Sequence, residues 1–415
     1  MYFIITVSLF YVLDIKEGNE SRKNRFRRRM RKELQGNHMK VLILSCNTGE
    51  GHNSAGKAVK EAVERAGHEA VMMDMMILAG PRTSAIVGGG YVKIVKYIPR
   101  LFQMLYRAGS AISSDRRKSP VYYGCALMAK KLGRFLEANA FDVIVTPHLF
   151  PAETMTAMKR RGTLKQKTVA VATDYTCIPF WEETDCDYYV IPHEDLKEEF
   201  AAKGIPEEKL LPLGIPVRQS FLQKEERAKA KRRCHIPENE KTFLVMSGSM
   251  GFGKIQLFVM ELARRLKENE GIVVICGNNQ RLERLLHREL SGRRNVRILG
   301  YTQYVSDYMD ACDVIFTKPG GLTSTEAAVK NIPIIHTRPI PGCEEKNLNF
   351  FQSREMSLGP RRMLAQLRAG RKLMDRDALR RQMEEAQRAN ISPGSADKIC
   401  RLLERLADAG KEESE

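Results

Sequence analysis

The chain has 415 residues, 43% of them hydrophobic, enough apolar material for two or three packed domains and too much for a disordered chain. Its nine cysteines are scattered and none forms a CxxC pair, which excludes a recognisable zinc site or disulfide framework; most sit in apolar runs as reduced core residues. The formal net charge of +18 is unevenly placed.

Residues 1–38 hold one apolar run, Tyr2 to Leu13, too short to span a bilayer. A basic run from Arg22 to Lys32 follows it, the reverse of a signal peptide's order. Residues 1–38 are expected to be an N-terminal extension, disordered or loosely helical. From Met39 the pattern changes. Residues 40–45 read as a buried strand, the turn Cys46-Asn47-Thr48-Gly49-Glu50-Gly51-His52-Asn53-Ser54 follows, and a helix runs over about 55–66. The next apolar run is 71–75. The region of about 80–138 is helix-rich and basic. Between Ala79 and Phe135, eleven Lys or Arg stand against one acid, Asp115, interleaved with Tyr91, Tyr97, Phe102 and Tyr106. That composition suits a segment lying on an anionic membrane surface. A nucleic-acid surface and a solvated basic face over an ordinary core are the competing expectations.

Strands are predicted at 141–146, 168–172 and 187–191, with helices at 152–161 and 194–203. Gly214-Ile215-Pro216-Val217 and a charged stretch, 223–233, mark a boundary. The pattern restarts with a strand at 242–246, a glycine loop at 247–254 and a helix to about 267. Runs at 272–276 and 296–299 end in Gly277 and in Gly300-Tyr301-Thr302. The tail is helical from about 376 to 409, interrupted near Pro393-Gly394. Such alternation predicts an α/β chain with two parallel, Rossmann-like αβα sheets. Ligands of open parallel sheets bind beyond the strands' C-terminal ends. Both halves carry glycine loops there, so the active cleft is expected between them.

The stretch 316–351 concentrates the chemistry: strand, glycine turn Lys318-Pro319-Gly320-Gly321, helix 323–330, strand 332–336, loop, helix. A glycine turn feeding a helix N-terminus leaves backbone N–H groups free for an anion, and a Cβ there would hold a ligand's oxygens away. Glu326 stands where a carboxylate can accept hydrogen bonds from a vicinal diol such as ribose; a solvated glutamate on an ordinary turn is the alternative. His52 follows a glycine turn at a strand end, and its ordinary pKa suits proton abstraction at neutral pH. Asp174 is the alternative base or an orienting partner, unless it only caps a strand end. Asp185-Cys186-Asp187 spells a DxD string, but it precedes an apolar run and is not expected to hold a metal. Trp181, the only tryptophan, is either core or a lip on an apolar groove.

Several stretches together resemble the diacylglycerol glycosyltransferases, the monogalactosyldiacylglycerol synthases and processive diacylglycerol glucosyltransferases, over about residues 39–409. They are Thr48-Gly49-Glu50-Gly51-His52, Pro147-His148-Leu149-Phe150-Pro151, Thr173-Asp174-Tyr175 with Pro179-Phe180-Trp181, Gly214-Ile215-Pro216-Val217, Lys318-Pro319-Gly320-Gly321-Leu322-Thr323 with Glu326, and Pro341-Gly342-Cys343-Glu344-Glu345-Lys346-Asn347. Cys343 departs from the family's usual glutamine, and Cys177-Ile178 stands where many members have a histidine. The resemblance implies the GT-B fold: residues 39–217 as an acceptor-lipid and membrane-binding domain, 218–390 as a UDP-sugar-binding domain, and 391–415 as a helix and tail crossing back.

It implies an inverting transfer of glucose or galactose from a UDP-sugar to diacylglycerol at the cytoplasmic face of an anionic membrane, with no cofactor, metal or nucleic acid. The alternatives are a UDP-sugar epimerase, a transferase acting on a polyprenyl-linked lipid, and a non-catalytic UDP-sugar sensor. Catalysis is expected from His52 and Asp174. The donor site is expected from Gly248, Ser249, Gly251, Gly277, Lys318, Gly320, Gly321, Leu322, Thr323, Pro341, Gly342 and Glu344. Within it, Tyr301 and Thr302 would lie at uracil, Glu326 at ribose, and Glu345 and Asn347 at diphosphate or sugar. Gly49, Gly51, His148, Phe150 and Trp181 are the expected acceptor contacts.

Overall fold

The computed structural model describes residues 38–46, 49–80, 118–246 and 255–412. The expected N-terminal extension, most of the basic segment, and the loop with Gly248, Ser249 and Gly251 lie outside them. The first sheet comprises β1 (Lys40–Ser45), β2 (Glu69–Asp74), β3 (Val143–Thr146), β4 (Lys167–Val171), β5 (Tyr188–Val190) and β6 (Leu210–Leu211). The second comprises β7 (Lys241–Met246), β8 (Glu270–Ile275), β9 (Val296–Leu299), β10 (Val314–Thr317), β11 (Ile334–His336) and β12 (Ser357–Leu358). The strand orders are β2-β1-β3-β4-β5-β6 and β12-β11-β10-β7-β8-β9, and every pairing is parallel. Parallel strands covered on both faces must be apolar throughout, which is why Val-Leu-Ile-Leu of β1 and Val-Ile-Phe of β10 are buried as unbroken runs.

The order in which strands are added reverses once in each sheet, between β1 and β3 and between β7 and β10. Crevices for ligands open at such switch points. The loops leaving β1 and β3 lead into α1 (Glu50–Arg65) and α2 (Leu149–Arg160). The loop leaving β10 leads into α3 (Gly321–Lys330), and that leaving β11 into α4 (Cys343–Ser353). One apolar cluster runs from Leu42 and Ile144 through Tyr175 to Leu322, Phe350 and Phe351, so the two halves share a core.

The last helix, α5 (Ser395–Glu412), packs on α1, β3 and β4 of the first half. An Arg65–Asp397 ion pair and a 3.0 Å contact between His68 Nε2 and Glu404 fasten it there. The outgoing linker meets the start of this helix. Gly214 has φ +92°, and a Cβ on it would stand 2.3 Å from Ser395 Oγ, so only glycine fits.

Candidate active site

α1 begins at Glu50, earlier than its turn-like residues predict, with the acid complementing the positive end of the helix dipole. That places His52 in the first turn. Its Nδ1 lies 2.9 Å from the Pro147 carbonyl, which can only accept, so Nδ1 carries the proton. The Thr173 hydroxyl lies 3.1 Å from the same nitrogen. The tautomer so fixed leaves the lone pair on Nε2, the state a general base requires. Burial lowers the pKa of His52, opposed by the Asp174 charge and the Pro147 carbonyl.

His148, expected among the acceptor contacts, has a structural task as well. Its Nδ1 accepts the Phe150 N–H at 3.1 Å and caps α2. Its ring stands 4.7 Å from that of His52, edge on. Burial and this neighbour hold its pKa well below the usual histidine value, so it is a neutral cap. Phe150 is half-buried beside it. Trp181 is a correction to the groove-lip alternative. It is only 3% exposed, edge-on to Tyr189, and belongs to the core. Asp185 and Asp187 of the DxD string are engaged by Lys209, Lys159 and Thr168.

The loop after β4 faces the second half at contact distance. Asn347 of α4 donates from Nδ2 to Asp174 Oδ1 at 2.7 Å and to the Pro319 carbonyl at 3.1 Å. Its Oδ1 accepts the Tyr175 N–H at 2.6 Å. The Tyr175 hydroxyl meets Thr325 Oγ1 at 2.7 Å, and its ring stacks on Phe350 at 4.5 Å. A Cβ on Gly321 would lie 2.0 Å from the Thr173 carbonyl oxygen. The glycine expected for ligand approach is therefore required first by the meeting of the two halves. A Cβ on Gly51 would stand 4.0 Å from Leu322, so the turn bearing His52 abuts the N-terminus of α3. Gly49, just before this turn, has open space around its Cα.

The expected donor residues divide. Gly320 has room, its nearest would-be contact being Glu344 Oε1 at 4.0 Å. Tyr301 is 67% exposed at the end of β9, and Thr302 beside it caps the Tyr304 N–H at 3.1 Å. Gly277 closes β8 in a left-handed turn at φ +57°. Leu322 is buried and Thr323 half-buried in the first turn of α3; Pro341 and Gly342 are half-buried where α4 begins. Glu345 is exposed there. Glu344 is spent otherwise: it pairs with Lys318 and accepts the Ile340 N–H at 2.8 Å. Asn347 is likewise engaged by protein groups.

Glu326 is buried, bonded to Ser54 of α1 and facing Arg218. Burial pushes its carboxyl up to about 8, against the pull of Arg218 and Ser54. Neither neighbour was singled out in the sequence, because Ser54 comes from the other half and Arg218 from the linker, more than a hundred positions away. The neutral acid favours the folded state, so its contribution is fully present below the ordinary value of 4.5 and is lost as pH rises through about 8. Glu326→Gln is expected to flatten the fall in thermal stability across that window; an unchanged slope in pH-dependent melting would show that Glu326 is ionised throughout.

Comparisons with known proteins decide between uses of this geometry. Residues 52–217 match the family model for monogalactosyldiacylglycerol (MGDG) synthase, and residues 227–390 that for glycosyl transferases group 1. The processive diacylglycerol beta-glucosyltransferase of Staphylococcus carnosus is 29% identical over 76% of this chain and 80% of its own length. The chain is homologous to the diacylglycerol glycosyltransferases. Its homologue of the same name in Staphylococcus saprophyticus is 26% identical over 88% of this chain and 93% of that one. Among solved structures, Acinetobacter baumannii MurG superposes with TM-score 0.58 at 14% identity, covering 88% of this chain and 99% of that one, a likeness of fold. The fold is the two-domain GT-B arrangement. These matches do not favour an epimerase, a polyprenyl-lipid transferase or a sensor.

Proposed function

We propose that the protein transfers glucose or galactose from a UDP-sugar to the free hydroxyl of diacylglycerol with inversion. The observation that carries this reading is the approach of Gly51 to Leu322, which sets His52 beside the N-terminus of α3. Proton acceptor and anion-binding helix end then flank one reaction centre. His52 Nε2 takes the proton of the acceptor hydroxyl as its oxygen bonds to the anomeric carbon. The bond from that carbon to the UDP oxygen breaks, and the diphosphate charge meets the N–H groups of Gly321 and the rest of the first turn of α3. Tyr301, exposed at a strand end, is the platform offered to uracil, and Glu326 the acceptor offered to ribose once Ser54 releases it. The test incubates the protein with radiolabelled UDP-glucose or UDP-galactose and diacylglycerol vesicles, then separates the lipids. Labelled glycolipid from one donor is expected; release of free sugar or epimer alone would refute the reading.

The acceptor reaches the enzyme at the cytoplasmic membrane surface. Each exposed CH₂ of a lipid costs about 0.8 kcal/mol, so the protein must come to the bilayer. Among the described residues no helix is long and apolar enough to cross a membrane. In the first half Tyr123 and Leu127 are 63% and 79% exposed, and Lys130, Lys131 and Arg134 are exposed just after them. Each such cation adds about 1 kcal/mol near an anionic leaflet. Sedimentation with anionic vesicles is expected to capture the protein, weaken with salt, and drop for the triple variant Lys130→Gln, Lys131→Gln, Arg134→Gln. Equal capture by neutral vesicles would remove the electrostatic part.

A further inference from the structure

Asn347 belongs to the second half, yet its hydrogen bonds run to the first. Its side chain is completely buried. One amide hydrogen goes to Asp174, the other to the Pro319 carbonyl of the glycine turn, and its oxygen takes the Tyr175 N–H. An amide has two donors and one oxygen, so both donors are used and little remains for a diphosphate or a sugar. A residue expected to bind the donor is instead a joint.

What it joins is informative. Asp174 is the carboxylate whose charge supports the proton affinity of His52. Thr173, its neighbour in the chain, places its hydroxyl on His52 Nδ1 at 3.1 Å and its carbonyl against Gly321. The contact runs from His52 through the Thr173–Asp174 loop to Asn347 and on to the turn before α3. Among the described residues, the hydrogen-bond partner of the Asp174 side chain is Asn347, of the second half.

We propose that Asn347 is a positioning residue which orients Asp174 toward His52, so that the general base is completed by the donor-binding half and is fully formed only while the two halves meet. Proton abstraction is thereby tied to the closed arrangement in which the donor is held. This rests on His52 acting as the base in the transfer proposed above. Its chemical sense is that a base exposed on an open first half would serve no acceptor productively, whereas one armed by closure acts when the anomeric carbon is in place.

The test uses the full chain and two variants, Asn347→Ala and the milder Asn347→Ser, with Asp174→Asn as reference. Turnover is expected to fall about 10²-fold in Asn347→Ala, as for a comparable loss of alignment. The acidic limb of the rate profile should move to lower pH, because His52 loses the support of Asp174. UDP affinity by calorimetry should stay within about threefold. The double variant Asp174→Asn, Asn347→Ala should be no slower than Asp174→Asn alone, since both act through one group. A raised UDP dissociation constant with an unmoved pH limb, or additive losses in the double variant, would overturn the proposal and return Asn347 to the donor site. NMR titration of the His52 ring supplies an arm independent of activity. Its pKa should drop in Asn347→Ser; if it does so in a protein that makes no glycolipid, the coupling stands and the proposed transfer falls. An unshifted ring pKa in a folded variant overturns the coupling whatever the activity.

Discussion

His52→Ala is expected to cut turnover by about 10²–10⁴ while leaving UDP affinity nearly intact. The loss should fall on kcat rather than on donor binding, because in the proposed transfer the imidazole meets the acceptor hydroxyl and not the nucleotide. The geometry is specific about which nitrogen acts. Nδ1 is committed to the Pro147 carbonyl at 2.9 Å, so only Nε2 can receive a proton. Burial lowers its proton affinity, so wild-type activity should persist below the ordinary histidine pKa before the acidic limb sets in. Turnover within about tenfold of wild type in steady-state assays would pass the role of base to Asp174.

Gly321→Ala is expected to be nearly as damaging, though it removes no functional group. The new Cβ would lie 2.0 Å from the Thr173 oxygen, where real contacts do not fall below 3.0 Å. The two halves would have to part by roughly 1 Å, and misplacement on that scale costs about 10²-fold in rate. Overpacking should also take about 1–3 kcal/mol from stability. Gly320→Ala is the informative companion, since among the described residues beyond its chain neighbours the nearest atom to its would-be Cβ is Glu344 Oε1 at 4.0 Å. A loss of UDP affinity in that variant reports on the ligand's approach instead. Wild-type kinetics in Gly321→Ala, with denaturant midpoint unchanged, would mean that the working enzyme holds its halves further apart.

The strands were legible wherever a run is apolar and long, as at Lys40–Ser45 and Val314–Thr317, because burial on both faces demands continuous apolar residues. The two-residue strand Ser357–Leu358 was not, since so short a run has no periodicity to read. The start of α1 was misplaced because Glu-Gly-His-Asn-Ser has turn composition and becomes helical where it packs against Leu322. The glycine turn, the base and the buried Glu326 could be found from local pattern. Their partners could not. Asn347 and Asp174 are 173 positions apart, and nothing in either neighbourhood states that an amide in a helix start will meet a carboxylate after a strand. Trp181 shows the converse limit: a lone tryptophan in an acceptor motif reads the same whether it lines a groove or fills the core.

The chain passes between its halves twice, once after Gly214 and again before Ser395, and these two crossings touch. A single strand of backbone between two bodies is a ball joint, free to swivel and twist. Two strands side by side act as a door hinge. They permit rotation about the line through both and resist torsion around it. Opening far enough to admit a lipid on one side and discharge a nucleotide on the other would therefore follow one arc, and the same arc in reverse would bring Asn347 back onto Asp174 in register.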